Sequence, residues 1–350
     1  MQSQKPSRNH SRPPETVADW GEFGFIEALC QRLPPASGTL RIGIGDDASW
    51  WRPESGNGIL TTTDMLVAGV HFDLSYTSAA DLGYKSLAVN LSDLAAMGAK
   101  PVCVYLSLGL PAALKKTWLD EFIDAFLELA EVYDVQLAGG DTVAARELVI
   151  SVTLNGLAPA PSPLLRSGAV VGDDIYVSGS IGDSFLGLQL LQGCLQPDTN
   201  ASAATDFLQS RHLRPQARIA LGEQLVASGR VSAMLDVSDG VVADLDHILV
   251  ASGGLGAEIE GRRIPLSPAA RQFVAAGRIA LRDLLTGGED YELLFTAAPA
   301  GRKKIAEVAT RTGVDLTRIG QITEKDTILL FANGVFEELS GRGGYDHFHN

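Results

Sequence analysis

The residues in this sequence best suited to chemistry are aspartates set beside glycine, serine or threonine. They recur as Gly45-Asp46-Asp47, Thr61-Thr62-Thr63-Asp64, Asn90-Leu91-Ser92-Asp93, Gly139-Gly140-Asp141-Thr142 and Asp236-Val237-Ser238-Asp239-Gly240; Gly287-Gly288-Glu289-Asp290 adds a glutamate. A single Asp-Gly pair is an ordinary turn, and an Asp-Asp pair an ordinary cap or solvated loop. This many such runs in one chain exceeds what turns and caps require. Hard oxygen ligands of this kind suit Mg²⁺, which keeps several waters and bridges a few carboxylates to substrate phosphates. The 6 His are scattered and the 3 Cys (Cys30, Cys103, Cys194) are far apart, so zinc and copper are poor fits. If the ligand is a phosphate, several cations are needed. ATP brings about four negative charges and a phosphate monoester nearly two, and like charges 4 Å apart cost about 4 kcal/mol even at an effective dielectric of 20.

The common phosphate and hydrolase signatures are missing. The chain has no G-x-x-x-x-G-K-[ST], no G-x-G-x-x-G and no H-E-x-x-H. It also has no kinase H-R-D or D-F-G and no G-x-S-x-G. These absences argue against P-loop enzymes, protein kinases, Rossmann dehydrogenases, zincins and α/β-hydrolases. A purely structural calcium loop is disfavoured because D-x-[DN]-x-[DN]-G-x₅-E is absent as well.

The elements that must position these groups fit a mixed α and β chain. With 350 residues, and roughly 100–200 residues per domain, two domains are expected. Lys and Arg number 28 against 42 Asp and Glu, a net charge of −14, which argues against general affinity for nucleic acid or an anionic membrane. Met1–Glu15 is polar and rich in Pro, Ser and Arg, without the apolar run of a secretory signal. No apolar stretch is long enough to span a bilayer. With so few cysteines, a cytoplasmic protein is expected.

Ile59–Thr63 reads as a strand ending in Asp64. Leu82–Met97 reads as a helix with Leu87, Leu91 and Leu94 on one face and Ser86, Asn90, Asp93 and Met97 on a neighbouring stripe. Val102–Leu108 reads as a strand, and Thr117–Tyr133 as a helix with Thr117 as N-cap and Asp120 completing a capping box. Val135–Ala138 is a short strand leading into Gly139–Thr142, and Leu148–Leu157 a further strand. Ala158–Pro163, with three prolines, is the linker. In the second half, strands are expected at Asp174–Val177, Ala233–Asp236 and Tyr291–Thr296. Helices are expected near Asp183–Leu191, Asn200–Leu208 and Val241–Ala251, with a loop at Leu284–Gly288. The turn Ser178–Gly182 is either a tight turn or a phosphate cradle at a helix N-terminus.

The motifs above, together with Thr63-Asp64 followed by His71-Phe72, Tyr84–Ala99, and Gly344-Tyr345-Asp346-His347-Phe348, resemble the thiamine-monophosphate kinase family. The match runs in order from about Gly21 to Phe348. Residues 1–20 have no counterpart in it, and their composition makes them a disordered tail; the resemblance implies an α+β (mixed α/β) aminoimidazole ribonucleotide synthetase-like fold, with an N-terminal ATP/Mg-binding and dimerising β-sheet and helix domain over 21–158 and a C-terminal α/β domain over 164–350. It implies a homodimer acting on thiamine monophosphate and ATP with several Mg²⁺ ions. By position it makes Asp47, Thr62, Thr63, Asp64, Asp93, Asp141, Asp236 and Asp239 metal ligands, with Asp46 turned the other way along an extended chain. Gly140, Asp141, Arg166 and Ser238 become ATP contacts, and His71, Glu289 and Tyr345 thiamine contacts. Lys85 receives no role beyond a structural ion pair. The acceptor phosphate is already largely deprotonated at neutral pH, so no general base is expected. Direct in-line transfer is expected, with metal held by Asp64, Asp93 and Asp141. Sister enzymes of the superfamily, and a silent Mg-nucleotide-binding homologue, are the alternatives. Cys30 lacks the Gly-rich loop of a reactive selenophosphate-synthetase cysteine, and the chain ends in His347-Phe348-His349-Asn350 rather than a functional Cys.

Overall fold

The structure is a computed structural model that describes residues 40–42, 46–52, 58–196 and 202–339. The tail over 1–20, Cys30 and Tyr345 lie outside them. The first half builds a six-stranded sheet from β1 (Leu40–Ile42), β2 (Ser49–Trp51), β3 (Ile59–Val67), β4 (Lys100–Leu110), β5 (Gln136–Ala144) and β6 (Val149–Leu157), in the order β1-β2-β3-β6-β4-β5. All neighbours are antiparallel except β4 and β5. In β6, residues alternate between half-buried and buried, so one face of the sheet carries the core and the other is open.

Two helices cover the core face: α1 (Ala79–Ala96) and α2 (Lys116–Val132). Ser78 caps α1 by accepting the Asp81 N–H at 3.1 Å. Leu87, Leu91 and Leu94 are fully buried, and so are Ser86, Asn90 and Ser92. A helix enclosed on nearly every side is the central post of a core rather than a surface element. Gly83 lets α2 come close, because a Cβ there would lie 2.1 Å from the Phe122 carbonyl oxygen.

The second half contains β7 (Asp174–Ser178), α3 (Asp183–Leu191), α4 (Ser202–Leu213), α5 (Ile219–Ser228), β8 (Val231–Asp236), α6 (Val241–Ala251), β9 (Gly256–Glu260), α7 (Pro268–Ala275), α8 (Leu281–Thr286), β10 (Leu293–Ala297), α9 (Arg302–Thr312), β11 (Leu316–Thr323), β12 (Ile328–Ala332) and β13 (Val335–Leu339). Its seven-stranded sheet has the order β13-β12-β9-β11-β7-β10-β8, with only β12 and β9 parallel. β7 and β10 are buried at every residue, as strands covered on both faces are. The halves share one hydrophobic cluster, in which Leu91 and Leu94 join Leu221, Leu225, Met234 and Phe295. Gly222 makes that junction possible, since a Cβ there would lie 2.0 Å from the Ala95 oxygen.

Four expectations shift. Asp64 lies inside β3 rather than at its end. Thr117 is not the cap of α2; the N-cap is Lys115 without a side-chain bond, and Asp120 instead pairs with Lys116 at 2.6 Å. The strand expected to end at Ala138 runs on through Gly139–Thr142 as the exposed edge strand β5. Leu284 lies in helix α8, with the loop beginning at Gly287. Among the described residues no helix is long and apolar enough to cross a membrane.

Gly83→Ala tests the α1–α2 packing. Alanine's helix propensity would stabilise by about 1 kcal/mol, whereas forcing a Cβ against the Phe122 carbonyl costs about 1–3 kcal/mol or more. A lowered Tm in a thermal scan is expected; a raised Tm would contradict the close approach.

Candidate functional site

Carboxylates from both halves converge beside α1. Asp47 follows β1, Asp64 stands on β3, Asp93 on the last turns of α1, and Asp236 ends β8. Carboxylate oxygens of Asp47, Asp93 and Asp236 lie within 4.8 Å of one another. Asp64 and Asp93 are close enough for their charges to interact. Neighbours fix the orientations. The Thr62 hydroxyl, buried on β3, donates to Asp93 Oδ2. The Ser92 hydroxyl, fully buried, donates to Asp236 Oδ2 at 2.5 Å, so one helix of the first half holds a carboxylate of the second. Arg166 donates from Nε to Asp47 Oδ1 at 2.8 Å and from Nη2 to the same oxygen. Asp47 Oδ2 is buried with no hydrogen-bond partner.

These charges are under strain. Burial pushes the Asp64 carboxyl up to about 6. Burial and then the Asp47 charge push Asp236 to about 7, against the opposing Ser92 bond and Arg166. Asp93 is driven well above the ordinary range by burial and then by Asp64, Asp236 and Asp47. An all-oxygen donor set with one orphaned buried oxygen and too few cations fits a hard divalent ion. A second group, Asp239, Asp244 and His247, brings ligand atoms within 4.8 Å of one another at the start of α6.

Other expected residues fall elsewhere. Successive side chains alternate across a strand, so Thr63 points to the far face, where its hydroxyl donates to the Val152 carbonyl at 3.0 Å; its side chain is not among the carboxylates. Asp46 Oδ1 accepts the backbone N–H of Asp47 at 3.0 Å and faces that of Arg166 at 3.4 Å, so Asp46 stays beside Arg166 rather than turning away from the group. Asp141 is exposed on β5, its Oδ1 taking the Thr142 N–H at 2.8 Å, and it joins neither carboxylate group. Gly140 has a packing reason of its own, because a Cβ would lie 1.8 Å from the Leu106 oxygen. Beside Gly139–Thr142 an open cleft of about 550 Å³ is lined by Leu106, Leu108, Ile123 and Leu137.

A third cluster surrounds Glu289. Lys85 on α1 reaches Glu289 Oε1 at 2.9 Å, and His212 Nδ1 on α4 lies 3.2 Å from Oε2. His71 Nδ1 accepts the Val67 N–H at 3.1 Å, and the ring lies close enough to Glu289 to act on its carboxyl. The supporting loop is stitched to the one after β8. Glu289 N–H donates to the Ser238 carbonyl at 2.7 Å, and Tyr291 N–H to the Val237 carbonyl at 2.9 Å. Glu289 and Tyr291 have φ of 66° and 51°, conformations that persist only where surroundings impose them. Asp290 provides part of that force. It accepts Gly182 N–H at 2.6 Å and Ser184 N–H at 3.1 Å, so the start of α3 is capped from within and the phosphate-cradle reading of Ser178–Gly182 falls. Glu292 completes the anchor, accepting Arg211 Nη2 at 2.8 Å, Arg218 Nε at 2.7 Å and Ser178 Oγ at 2.5 Å.

The sequence reading gave no role to Asp290, Glu292, Arg211, Arg218 or His212. Asp290 closes the Gly287–Asp290 run and Glu292 follows two residues on; the acidic density there is the available signal. The arginines stand in segments without a motif, and nothing short of the fold pairs them.

The chain is similar to known proteins over most of its length. The family models for the AIR synthase related protein N-terminal and C-terminal domains match residues 45–158 and 170–331. The thiamine-monophosphate kinase of Salmonella typhimurium is 42% identical, covering 94% of this chain and 98% of its own length. The crystal structure of thiamine-monophosphate kinase from Stenotrophomonas maltophilia is 39% identical, with a TM-score of 0.73 over 89% of this chain and 96% of that one. AaThiL complexed with AMPPCP and TMP is 32% identical, with a TM-score of 0.80 over 96% of this chain and all of that one (100%).

The raised carboxyls set a pH dependence. Their folded-state affinity for protons exceeds the unfolded one. The stability they contribute is therefore fully present below the unfolded value of 3.8 and is lost as pH rises through about 6 for Asp64 and about 7 for Asp236. In EDTA, Asp236→Asn is expected to raise Tm relative to the parent most at pH 8 and progressively less as pH falls through 5 towards 3.8. An Asn that destabilises equally across that range would contradict the repulsion.

Proposed function

Since the chain belongs to the thiamine-monophosphate kinase family within the AIR synthase related proteins, we propose that the site described above transfers the γ-phosphoryl group of ATP to the phosphate of thiamine monophosphate, giving ADP and thiamine diphosphate. The observation that carries this site assignment is the convergence of Asp47, Asp93 and Asp236 within 4.8 Å. Asp47, Asp64, Asp93 and Asp236 hold Mg²⁺, with Asp239 contributing on the α6 side. When bound, the ions neutralise the phosphate charges and polarise the transferring group. Thr62 and Ser92 act behind the ligands, fixing the carboxylates of Asp93 and Asp236.

The acceptor oxygen attacks the γ-phosphorus in line as the bond to ADP breaks. No side chain needs to remove a proton, because a phosphate monoester is largely deprotonated at neutral pH. The protein's share of the rate is alignment and preorganised charge. Arg166, paired with Asp47, contacts ATP phosphate in this reading. The glycine-lined cleft at Gly139–Thr142 lies on the nucleotide side, bringing Gly140 and Asp141 there, and Ser238 sits in the loop that joins metal and substrate sides. Glu289 and His71 face the thiamine moiety, with Tyr345 supplied from beyond the described residues. In this reading Asp141 serves the nucleotide, not the carboxylate group.

The open face of the first sheet supports a homodimer. Met65 (56% exposed), Tyr105 (43%), Leu137 (41%) and Val143 (56%) present apolar surface there and along the edge strand β5, more than a free sheet edge ordinarily leaves uncovered. We place the domain boundary at the linker Ala158–Pro163 and the enzyme in the cytoplasm, where Cys103 and Cys194 stay as free thiols.

The decisive assay follows ADP and thiamine diphosphate from thiamine monophosphate, ATP and Mg²⁺, with EDTA and free thiamine as controls. Asp93→Asn is expected to lower kcat at least a hundredfold, about 2.7 kcal/mol, with circular dichroism unchanged. Near-parental turnover would remove Asp93 from the site. A phosphorylated aspartate or histidine at burst amplitude would replace direct transfer by a covalent route.

A further inference from the structure

One guanidinium serves several of the buried carboxylates. Burial lifts the carboxyls of Asp46, Asp47, Asp236 and Asp244, and the cation that opposes it at all four is Arg166. Its hydrogen bonds are not spread evenly. Nε and Nη2 both donate to Asp47 Oδ1, whereas an arginine facing a carboxylate commonly forks across its two oxygens. Asp47 Oδ2 is left buried with no hydrogen-bond partner. One oxygen of Asp47 is thus held by a side-chain cation, while the other is free to take a metal ion.

The two side chains differ in access. That of Asp47 is 1% exposed and that of Arg166 is 27% exposed, so the guanidinium is the member of the pair that reaches an open edge. The backbone beneath it is fixed from two sides. The Arg166 N–H faces Asp46 Oδ1 at 3.4 Å, and the preceding Leu165 carbonyl accepts the Met234 N–H at 2.8 Å. A change of partner at Arg166 therefore belongs to its side chain, a planar head on a rotatable stem.

A metal ion and this guanidinium cannot both use Asp47 without cost. Standing about 5 Å apart, a divalent and a monovalent cation repel enough, even at water's dielectric constant, to weaken binding about tenfold. An anion that draws the guanidinium outward relieves that repulsion, and the triphosphate of ATP is such an anion. We propose that Arg166 is the exchangeable counter-ion of the carboxylate group: nucleotide phosphate takes over the guanidinium as the divalent ion takes over Asp47. Metal and nucleotide are then coupled through one side chain, and the coupling is reciprocal. This deepens the reading of Asp47 as a metal ligand and Arg166 as an ATP contact, and rests on it.

Calorimetric titration of Mg²⁺ into the full-length protein, with and without a saturating non-hydrolysable ATP analogue, tests the exchange. The ratio of the two Mg²⁺ affinities measures the coupling. Chelation by free analogue is the same for every protein and cancels when ratios are compared. Without nucleotide, Arg166→Met is expected to bind Mg²⁺ at least about tenfold more tightly than the parent. With the analogue it binds Mg²⁺ no more tightly than the parent, so the coupling ratio falls at least about tenfold. Arg166→Lys, which keeps the charge but loses the fork, falls between. Asp47→Asn reports the exchange from the other side. By releasing the guanidinium it is expected to tighten analogue binding in EDTA more than about threefold beyond Asp64→Asn, which removes an equal charge without freeing Arg166.

Weaker Mg²⁺ binding by Arg166→Met without nucleotide would overturn the proposal and leave Arg166 as a residue that only aims Asp47. A coupling ratio equal to the parent's would overturn it as well, because an ordinary nearby charge shifts both affinities together. So would equal analogue binding by Asp47→Asn and Asp64→Asn. If the parent binds no Mg²⁺ in either titration, the failure lies earlier, in the metal-site reading. If Arg166→Met binds the analogue in EDTA as tightly as the parent does, it lies in the reading of Arg166 as an ATP contact.

Discussion

Carboxylates that repel one another are brought together and kept together by the rest of the molecule. Asp47, Asp64, Asp93 and Asp236 meet where water is largely excluded, with the Arg166 guanidinium directly against one of them. Burial alone disfavours each charge, and the neighbours add to the cost. Such a site persists because the surrounding core is large enough to carry it and because the ligands it serves are themselves highly charged. The buried length of α1, with leucines on one side and Ser86, Asn90 and Ser92 on another, makes both contributions. Its apolar residues join the two halves in one cluster, and its last turns carry Asp93 and the Ser92 hydroxyl that holds Asp236.

The second anchoring device is the paired loops after β8 and before β10. Backbone bonds from Glu289 and Tyr291 tie one loop to the other, and the acidic residues between and beyond them are each tied down. Asp290 caps α3, and Glu292 is locked between Arg211, Arg218 and Ser178. An ion network of this kind is costly to desolvate and gives limited net stability. Its effect here is positional, because it fixes the direction in which Glu289 faces. The carboxylate group that includes Asp236 and the Glu289 cluster thus share one rigid seam, with Ser238 between them.

Much of this was legible in the sequence because the chemistry demands particular residue types in short runs. The aspartate motifs stood out since turns and caps do not require so many, and the leucine spacing of α1 announced its buried face. Tertiary pairing was less accessible. Ser92 reads as one more small residue until the fold sets it against Asp236, and the ion pair expected of Lys85 has no partner until the fold brings it to Glu289. Local patterns also misled where long-range contacts win. The glycines at 139 and 140 read as the end of a short strand, yet Gly140 permits close passage past the Leu106 carbonyl and the strand runs on to Ala144. Thr117 looked like a cap, yet the helix begins a residue earlier, with Lys116 and Asp120 paired across its first turn. Thr63 sits in a metal-like motif, but strand alternation sends its hydroxyl to the opposite face.

The central claim is that Asp93, from the first half, and Asp236, from the second, hold the same divalent cation. A double-mutant cycle on Mg²⁺ affinity tests it directly: calorimetric titration of Mg²⁺ in the presence of a non-hydrolysable ATP analogue, into the parent, Asp93→Asn, Asp236→Asn and the double variant. A shared ion requires non-additivity, because once one ligand is gone, losing the other costs much less. Losses in binding free energy that simply add would show two independent ions and contradict the joint site.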